Sequence, residues 1–309
     1  MVKFEGYEFV DGGVCAAEGF TAAGVIAGIK AGNTTKRDLA MIYCAERCKA
    51  AALYTTNKVK GAPIYVCQKH LADGYAQAVI VNSGNANTCN ENGIEIAEQM
   101  CELTAEALDI DANDVLVGST GVIGQPLSIK PIKARIPTLA KELSSKKSGD
   151  ACEAIMTTDT RKKELAVEFE IEGRKCHVGG ISKGSGMIAP NMATMLGFIT
   201  TDVAICHELL EKALRKVNQL TYSMVSVDGD TSTNDSIFLL ANGASGVEIK
   251  TEEDKKAMAD LVLAICTDMA RRVASDGEGA THLIEVEAYG LPTEHDARLV
   301  AKSIAGSML

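Results

Sequence analysis

The chain has 309 residues, 46% of them hydrophobic and 4% aromatic, and a formal net charge of −10 at pH 7. That length and apolar content allow a substantial core, in two subdomains or one large one. The negative charge argues against nucleic acid or an anionic membrane as a main partner, and with no Trp there is little on which to stack bases or sugars.

From the N-terminus, Met1-Val-Lys-Phe-Glu-Gly6 runs into a polar turn and lacks the apolar core of a signal peptide. Ten cysteines are scattered along the chain, none in a CxxC pair and none with zinc spacing. Free thiols without an export signal fit a reducing cytosol. Leu39–Tyr54 and Gln77–Asn82 read as buried strands. Ile96, Met100, Leu103 and Ala107 fall on one helical face, which predicts a helix over Ile94–Leu108, and a second lies near Ile132–Leu143. Ser144–Ala151, rich in Ser, Lys and Gly, is the best linker candidate.

Leu165–Ile171 alternates apolar and charged residues, and the Gly173 turn leads into Lys175–Ile181, a hairpin signal. Gly184–Thr201 then carries no charge for 18 residues, yet it is too polar for a membrane span and must be buried in protein. Beyond it, Glu208–Leu220 reads as a helix and Ser236–Leu240 as a strand. Thr251 with Asp254 predicts an N-terminal cap, and Met258, Leu261, Val262, Ile265 and Met269 form the apolar stripe of the helix that follows. His282–Ala288 reads as a closing strand. Strands alternating with amphipathic helices give an α/β class with mixed sheets and outer helices.

Several short patterns suggest chemistry, and each has a plainer reading. Gly180-Ile-Ser182-Lys-Gly184 matches the nucleophile elbow, with His207 and His282 downstream, but Pro190 interrupts the helix that the elbow requires. The same proline weakens a dinucleotide reading of Gly184–Ala189 with Asp202. Asp228–Asp235 looks like a calcium loop but lacks the required glycine and the twelfth-position glutamate, so a polar turn fits better. Asn82-Ser-Gly-Asn85-Ala-Asn87 also reads as a turn. Ser119-Thr120-Gly121 follows a strand at Val115–Gly118. A Thr-Gly step there can aim a hydroxyl and a backbone N–H at one point, as an oxyanion hole needs.

Lys183-Gly-Ser-Gly-Met-Ile-Ala-Pro190-Asn-Met-Ala193-Thr194-Met-Leu196 closely resembles the signature of the ornithine acetyltransferase (glutamate N-acetyltransferase) family. The resemblance spans nearly the whole chain. It includes Ala22–Lys30, Tyr54–Val59, Val81–Asn87, Ser119–Gly124, Met156–Thr160, Val227–Asp235 and Asp276–Thr281, in that order. It implies a precursor that cuts itself between Ala193 and Thr194 into fragments 1–193 and 194–309, which assemble as a heterotetramer of two of each. It implies Thr194 as nucleophile and Thr120 with Gly121 as oxyanion hole. Thr157 or Thr158, Lys183, Thr194 and Glu278 are its implied substrate-binding residues.

The residue chemistry is consistent with that resemblance. A threonine hydroxyl needs an adjacent base, and cleavage before Thr194 would free an α-amine whose ordinary pKa of about 8 suits that work. The implied reaction is ping-pong acetyl transfer from N2-acetylornithine to glutamate in arginine biosynthesis, with acetyl-CoA as a further candidate donor. The implied partners are these small molecules alone, with no metal or organic cofactor. A self-cleaving N-terminal-threonine aminopeptidase or amidase is the alternative, with water as acceptor. The family runs on past a segment like Ala301–Leu309, with a further Asn and Thr at its substrate site. Since the sequence stops inside an apolar, helix-like run, the expectation is that its C-terminal part is missing.

Overall fold

The computed structural model describes residues 6–189 and 195–307. In chain order it contains β1 (Tyr7–Val10), β2 (Phe20–Val25), β3 (Leu39–Tyr54), α1 (Ala62–His70), β4 (Tyr75–Asn82), α2 (Gly93–Leu108), β5 (Val115–Ser119), α3 (Ile129–Lys141), α4 (Ser148–Ala154) and β6 (Lys163–Ile171). It continues with β7 (Arg174–Lys183), β8 (Leu196–Thr201), α5 (His207–Leu220), β9 (Ser236–Ala241), α6 (Glu252–Ser275) and α7 (Glu294–Ala305). Among the described residues no helix is long and apolar enough to cross a membrane.

The strands form one mixed sheet in the order β1-β6-β7-β8-β9-β3-β4-β5, with β2 also paired to β3. β4 runs parallel to β5, and β8 runs parallel to β9; the other pairs are antiparallel. β3 is long enough to change neighbours. Its first half pairs with β2 and its second half with β9, while β4 follows the other edge through a register shift between Tyr43 and Cys48.

The central strands are buried on both faces, which requires a core on each side. β9 shows the period-2 consequence directly. Phe238 and Leu240 enter one core with Phe198, while Ile237, Leu239 and Ala241 enter the other. The first core is completed by α1, α2, α3 and α4, through residues such as Val66, Met100, Ile132 and Ala151. The second is completed by α5 and α6, through Leu210, Leu214, Leu261, Ile265 and Met269. The Thr251–Asp254 arrangement is a full capping box, with reciprocal side-chain and backbone hydrogen bonds.

Two sequence expectations are corrected. Ser144–Ala151 is not a linker: Ser144 bridges Ala22, and Ser148 begins α4 with its hydroxyl accepting the Val14 N–H at 3.1 Å. Its small polar residues serve close packing. His282–Ala288 is not a strand; the segment has no regular structure, and Ile284 is 80% exposed. Alternation defines a strand only where a neighbouring edge offers hydrogen bonds, and no described strand pairs with this segment.

Phe198 and Phe238 stack across the parallel pair with centroids 5.6 Å apart. Phe198→Ala should cost roughly 3–5 kcal/mol through lost burial and the residual cavity. A denaturant midpoint unchanged from wild type would show that this contact does not hold β8 to β9.

Candidate active site

The loops after β4, β5 and β7 and the loop before β9 come together. Between them lies a cavity of about 700 Å³. Thr120, Gly121, Lys183, Glu278, Thr157 and Thr158 all line it. Ala193 and Thr194 lie outside the described residues; Ala189 and Met195, the nearest described residues on either side, are buried.

The wall formed by the loops after β4 and β5 is built largely by amides. Asn82 closes β4 and its Oδ1 accepts the N–H groups of Gly84 and Asn85, while its Nδ2 donates to Ser119 Oγ at 2.7 Å. Asn234 Nδ2 donates to the carbonyls of Ala86 and Ser119, tying the loop before β9 to those after β4 and β5. Asn82–Asn87 is thus a turn, as its composition predicts, but a buried one that forms the cavity wall. It is neutral, so satisfying its polar groups costs no buried charge.

Thr120 donates its N–H to Asn82 O at 2.9 Å. Its hydroxyl accepts from Lys183 Nζ at 3.2 Å. An oxygen accepting from an ammonium keeps its own proton available for a second partner. Gly121 has φ of +129°, and a Cβ there would lie 2.9 Å from Asn85 N, so only glycine fits. Thr120 and Gly121 therefore form a rigid step on the cavity lining.

Charges hold the loops before β6 and after β7. Lys163 Nζ, 1% exposed as a side chain, contacts Asp159 Oδ1 at 2.7 Å and Asp276 Oδ2 at 2.6 Å. Asp159 also accepts the N–H of Gly184 and that of Thr157. Asp276 accepts the hydroxyl and N–H of Thr160. Its carbonyl accepts Ser185 Oγ, and the Glu278 N–H donates to Ser185 O at 2.9 Å. Glu278 packs so close to Gly186 that a Cβ there would meet its carboxylate at 2.3 Å.

Burial alone would raise the Asp159 carboxyl, but Lys183 and Lys163 outweigh it and hold the group below its usual value. Asp276 is likewise held down, against desolvation, chiefly by Lys163 and Thr160. Burial draws the Lys183 ammonium down, and Asp159 and Asp235 partly offset that.

The rival motifs do not assemble. Ser182 lies within β7, its hydroxyl donating to Met269 Sδ, while His207 faces Ala50 O and His282 pairs with Thr281 at the surface. Asp202 is occupied by His177 and the Glu18 N–H. Asp228 accepts the N–H groups of Met187 and Ile188, bracing the cavity rim. Among the described residues no group of three His, Cys, Asp or Glu is arranged to hold a metal.

Sequence reasoning included Asp159, Asn234 and Asp235 within its motifs without assigning them roles, and missed Lys163 and Asp38. Asp38 is 3% exposed and gathers the N–H groups of Ala27, Gly28 and Ile29, shaping the loop beside the cavity. The available signal was an acid or amide placed directly against an otherwise apolar strand.

A family model described as ArgJ family matches residues 21–309. An arginine biosynthesis bifunctional protein ArgJ of Symbiobacterium thermophilum is 46% identical over 305 residues, 98% of this chain and 76% of that protein. A glutamate N-acetyltransferase of Methanocaldococcus jannaschii is 45% identical, covering 97% of this chain and 73% of its own. The crystal structure of ornithine acetyltransferase of Mycobacterium tuberculosis, complexed with ornithine, aligns at a TM-score of 0.54 with 34% identity, over 61% of this chain and 99% of that one. An L-aminopeptidase D-Ala-esterase/amidase of Ochrobactrum anthropi aligns at 0.52 over 97% of this chain and 95% of its own; at 9% identity it shares the fold alone.

Lys163→Met should destabilise the protein by about 3–5 kcal/mol at neutral pH, because two buried carboxylates lose their partner. Both carboxyls have depressed values in the folded state, so their contribution is complete above about pH 4, the unfolded value, and fades as pH falls through the folded values. The deficit of Lys163→Met should therefore shrink below about pH 4. Thermal melts from neutral pH downward check this, and a pH-independent deficit would contradict it.

Proposed function

Because the chain belongs to the ArgJ family, whose members are acyltransferases, we propose that it transfers an acetyl group from N2-acetylornithine to glutamate through an acetyl ester on Thr194. The observation carrying this reading is convergence. Seven motifs distant in sequence line one cavity.

The chemistry runs in two stages. In the first, the Thr194 hydroxyl attacks the Ala193 carbonyl carbon, and the scissile nitrogen takes a proton to become the free α-amine. Water then hydrolyses the ester and leaves the Ala193 carboxylate. In the second, that amine accepts the hydroxyl proton as Thr194 attacks the acetyl carbonyl, and ornithine leaves as its amine. The α-amine of glutamate then takes the acetyl group. Both stages develop a negative oxygen, for which the Thr120 hydroxyl and Gly121 N–H are the assigned donors. Lys183 suits a substrate carboxylate and Glu278 the ornithine ammonium. Thr157 and Thr158 both reach the cavity lining as further contacts.

We assign the mature enzyme as two copies each of fragments 1–193 and 194–309, in the cytosol. Its cysteines are all free, eight of the ten buried. Acetyl-CoA is a second candidate donor to the same threonine. Hydrolysis by an aminopeptidase of this fold is the competing outcome.

Purified protein should give a fragment whose N-terminal residue is Thr194, and Thr194→Ala should remain one chain without acetyl transfer. A wild-type chain that stays intact yet transfers acetyl groups would overturn the mechanism, and release of free acetate in place of acetylglutamate would favour hydrolysis. Thr120→Ala should lower turnover by about 10²–10³, the loss for one oxyanion donor. A change under about twofold in steady-state rate would remove Thr120 from the hole.

A further inference from the structure

Asp235 lies immediately before β9 and is 1% exposed. Its two carboxyl oxygens are used unequally. Oδ1 accepts the Met195 N–H at 3.0 Å. Oδ2 is buried and has no hydrogen-bond partner among the described residues. The backbone repeats the connection, since the Ser236 N–H donates to Met195 O at 3.1 Å and Asp235 O accepts the Thr55 N–H at 2.9 Å.

A carboxyl at this place is expensive. The strand that follows, Ser236–Ala241, is wholly buried, and an apolar residue would pack there without desolvation. Burial pushes the Asp235 carboxyl well above the usual carboxylate range, against the pull of the Met195 N–H, the Ser232 side chain and the Lys183 charge. In its neutral form the group offers one acceptor and one O–H donor, and the structure shows the acceptor in use on Met195.

Met195 directly follows Thr194. A peptide unit is planar, so a bond to the Met195 N–H orients the unit that joins residue 195 to the one before it. We infer that Asp235 is a positioning residue for self-cleavage and acetyl transfer, fixing the peptide unit on the C-terminal side of the reacting threonine through its Oδ1. This rests on the assignment of Thr194 as nucleophile. The role is distinct from those of Thr120 and Lys183, because Asp235 acts through the backbone beside the threonine and need not touch substrate.

The test is a processing time course, followed by denaturing gel and intact mass, on wild type, Asp235→Ala, Asp235→Asn and Thr194→Ala. Asparagine keeps the acceptor and supplies N–H donors where the acid has its O–H, so it should restore what alanine loses. Asp235→Ala should process about tenfold or more slowly, the scale of one lost buried hydrogen bond in the reacting geometry, and Asp235→Asn within about threefold of wild type. Wild-type processing in a folded Asp235→Ala protein would overturn the inference. So would an Asp235→Asn protein that melts cooperatively yet processes as slowly as alanine, since geometry alone would then not suffice. If Asp235→Ala does not fold, the asparagine variant decides by the same criteria. A wild-type chain with no new N-terminus at Thr194 would defeat the nucleophile assignment and this inference together. Normal wild-type cleavage with an unaffected Asp235→Ala would defeat this inference alone.

Discussion

Lys163 lies buried between Asp159 and Asp276, and both aspartates grip the same two loops, the one before β6 and the one after β7. Asp159 holds the Thr157 N–H and the start of the uncharged run at Gly184, while Asp276 holds Thr160 and, through its carbonyl, Ser185. Loops have little packing of their own, so their mutual positions depend on such shared anchors. Moving one ion would leave the others unpaired in a medium that penalises isolated charge. The arrangement therefore behaves as a unit, and Lys183, Thr157 and Glu278 inherit their placement from it.

The sheet explains why this unit sits where it does. Strands buried on both faces can change direction only at their ends, where polar backbone needs partners beyond the ladder. β4 and β5 finish beside Leu39, at the start of β3, and β8 and β9 begin beside Tyr54, at its end; the bonds of Asn234 to Ala86 and Ser119 join these two ends. Side-chain amides satisfy the backbone after β4, and the ion network satisfies the backbone after β7. Lys183 and Glu278 on one lining suit a zwitterionic substrate, and the Thr120-Gly121 step suits a reaction that develops charge at one carbonyl.

Local patterns left open what only partners could decide. Gly180–Gly184 satisfies a nucleophile-elbow spacing, yet Ser182 is an ordinary strand residue against Met269. Asp228 stands in a run resembling a calcium loop, yet both of its oxygens serve backbone N–H groups of Met187 and Ile188. In each case the residue type was right for chemistry, but its contacts come from segments far away in sequence. Asn82–Asn87 is a turn, as read, and its role came from elsewhere. Its turn composition is real, and its burial against the loop before β9 is what turns it into a site wall.

The sequence by itself determined the α/β class and the periodic elements, from β3 and the β6–β7 hairpin to the capped stripe of α6, because side-chain alternation and helical spacing are local properties of the chain. It also determined the family, since ordered motifs retain their residues wherever the fold carries them, and with it the candidates Thr120, Gly121, Lys183, Thr194 and Glu278. Tertiary structure alone decided that Lys163 joins Asp159 to Asp276, that Asn234 spans two loops, and that Asp235 holds Met195. Except for Lys163–Asp159, those contacts cross 40 or more residues, and no spacing rule encodes them. They form because a buried polar group must find its partner in whatever segment the packed sheet brings beside it.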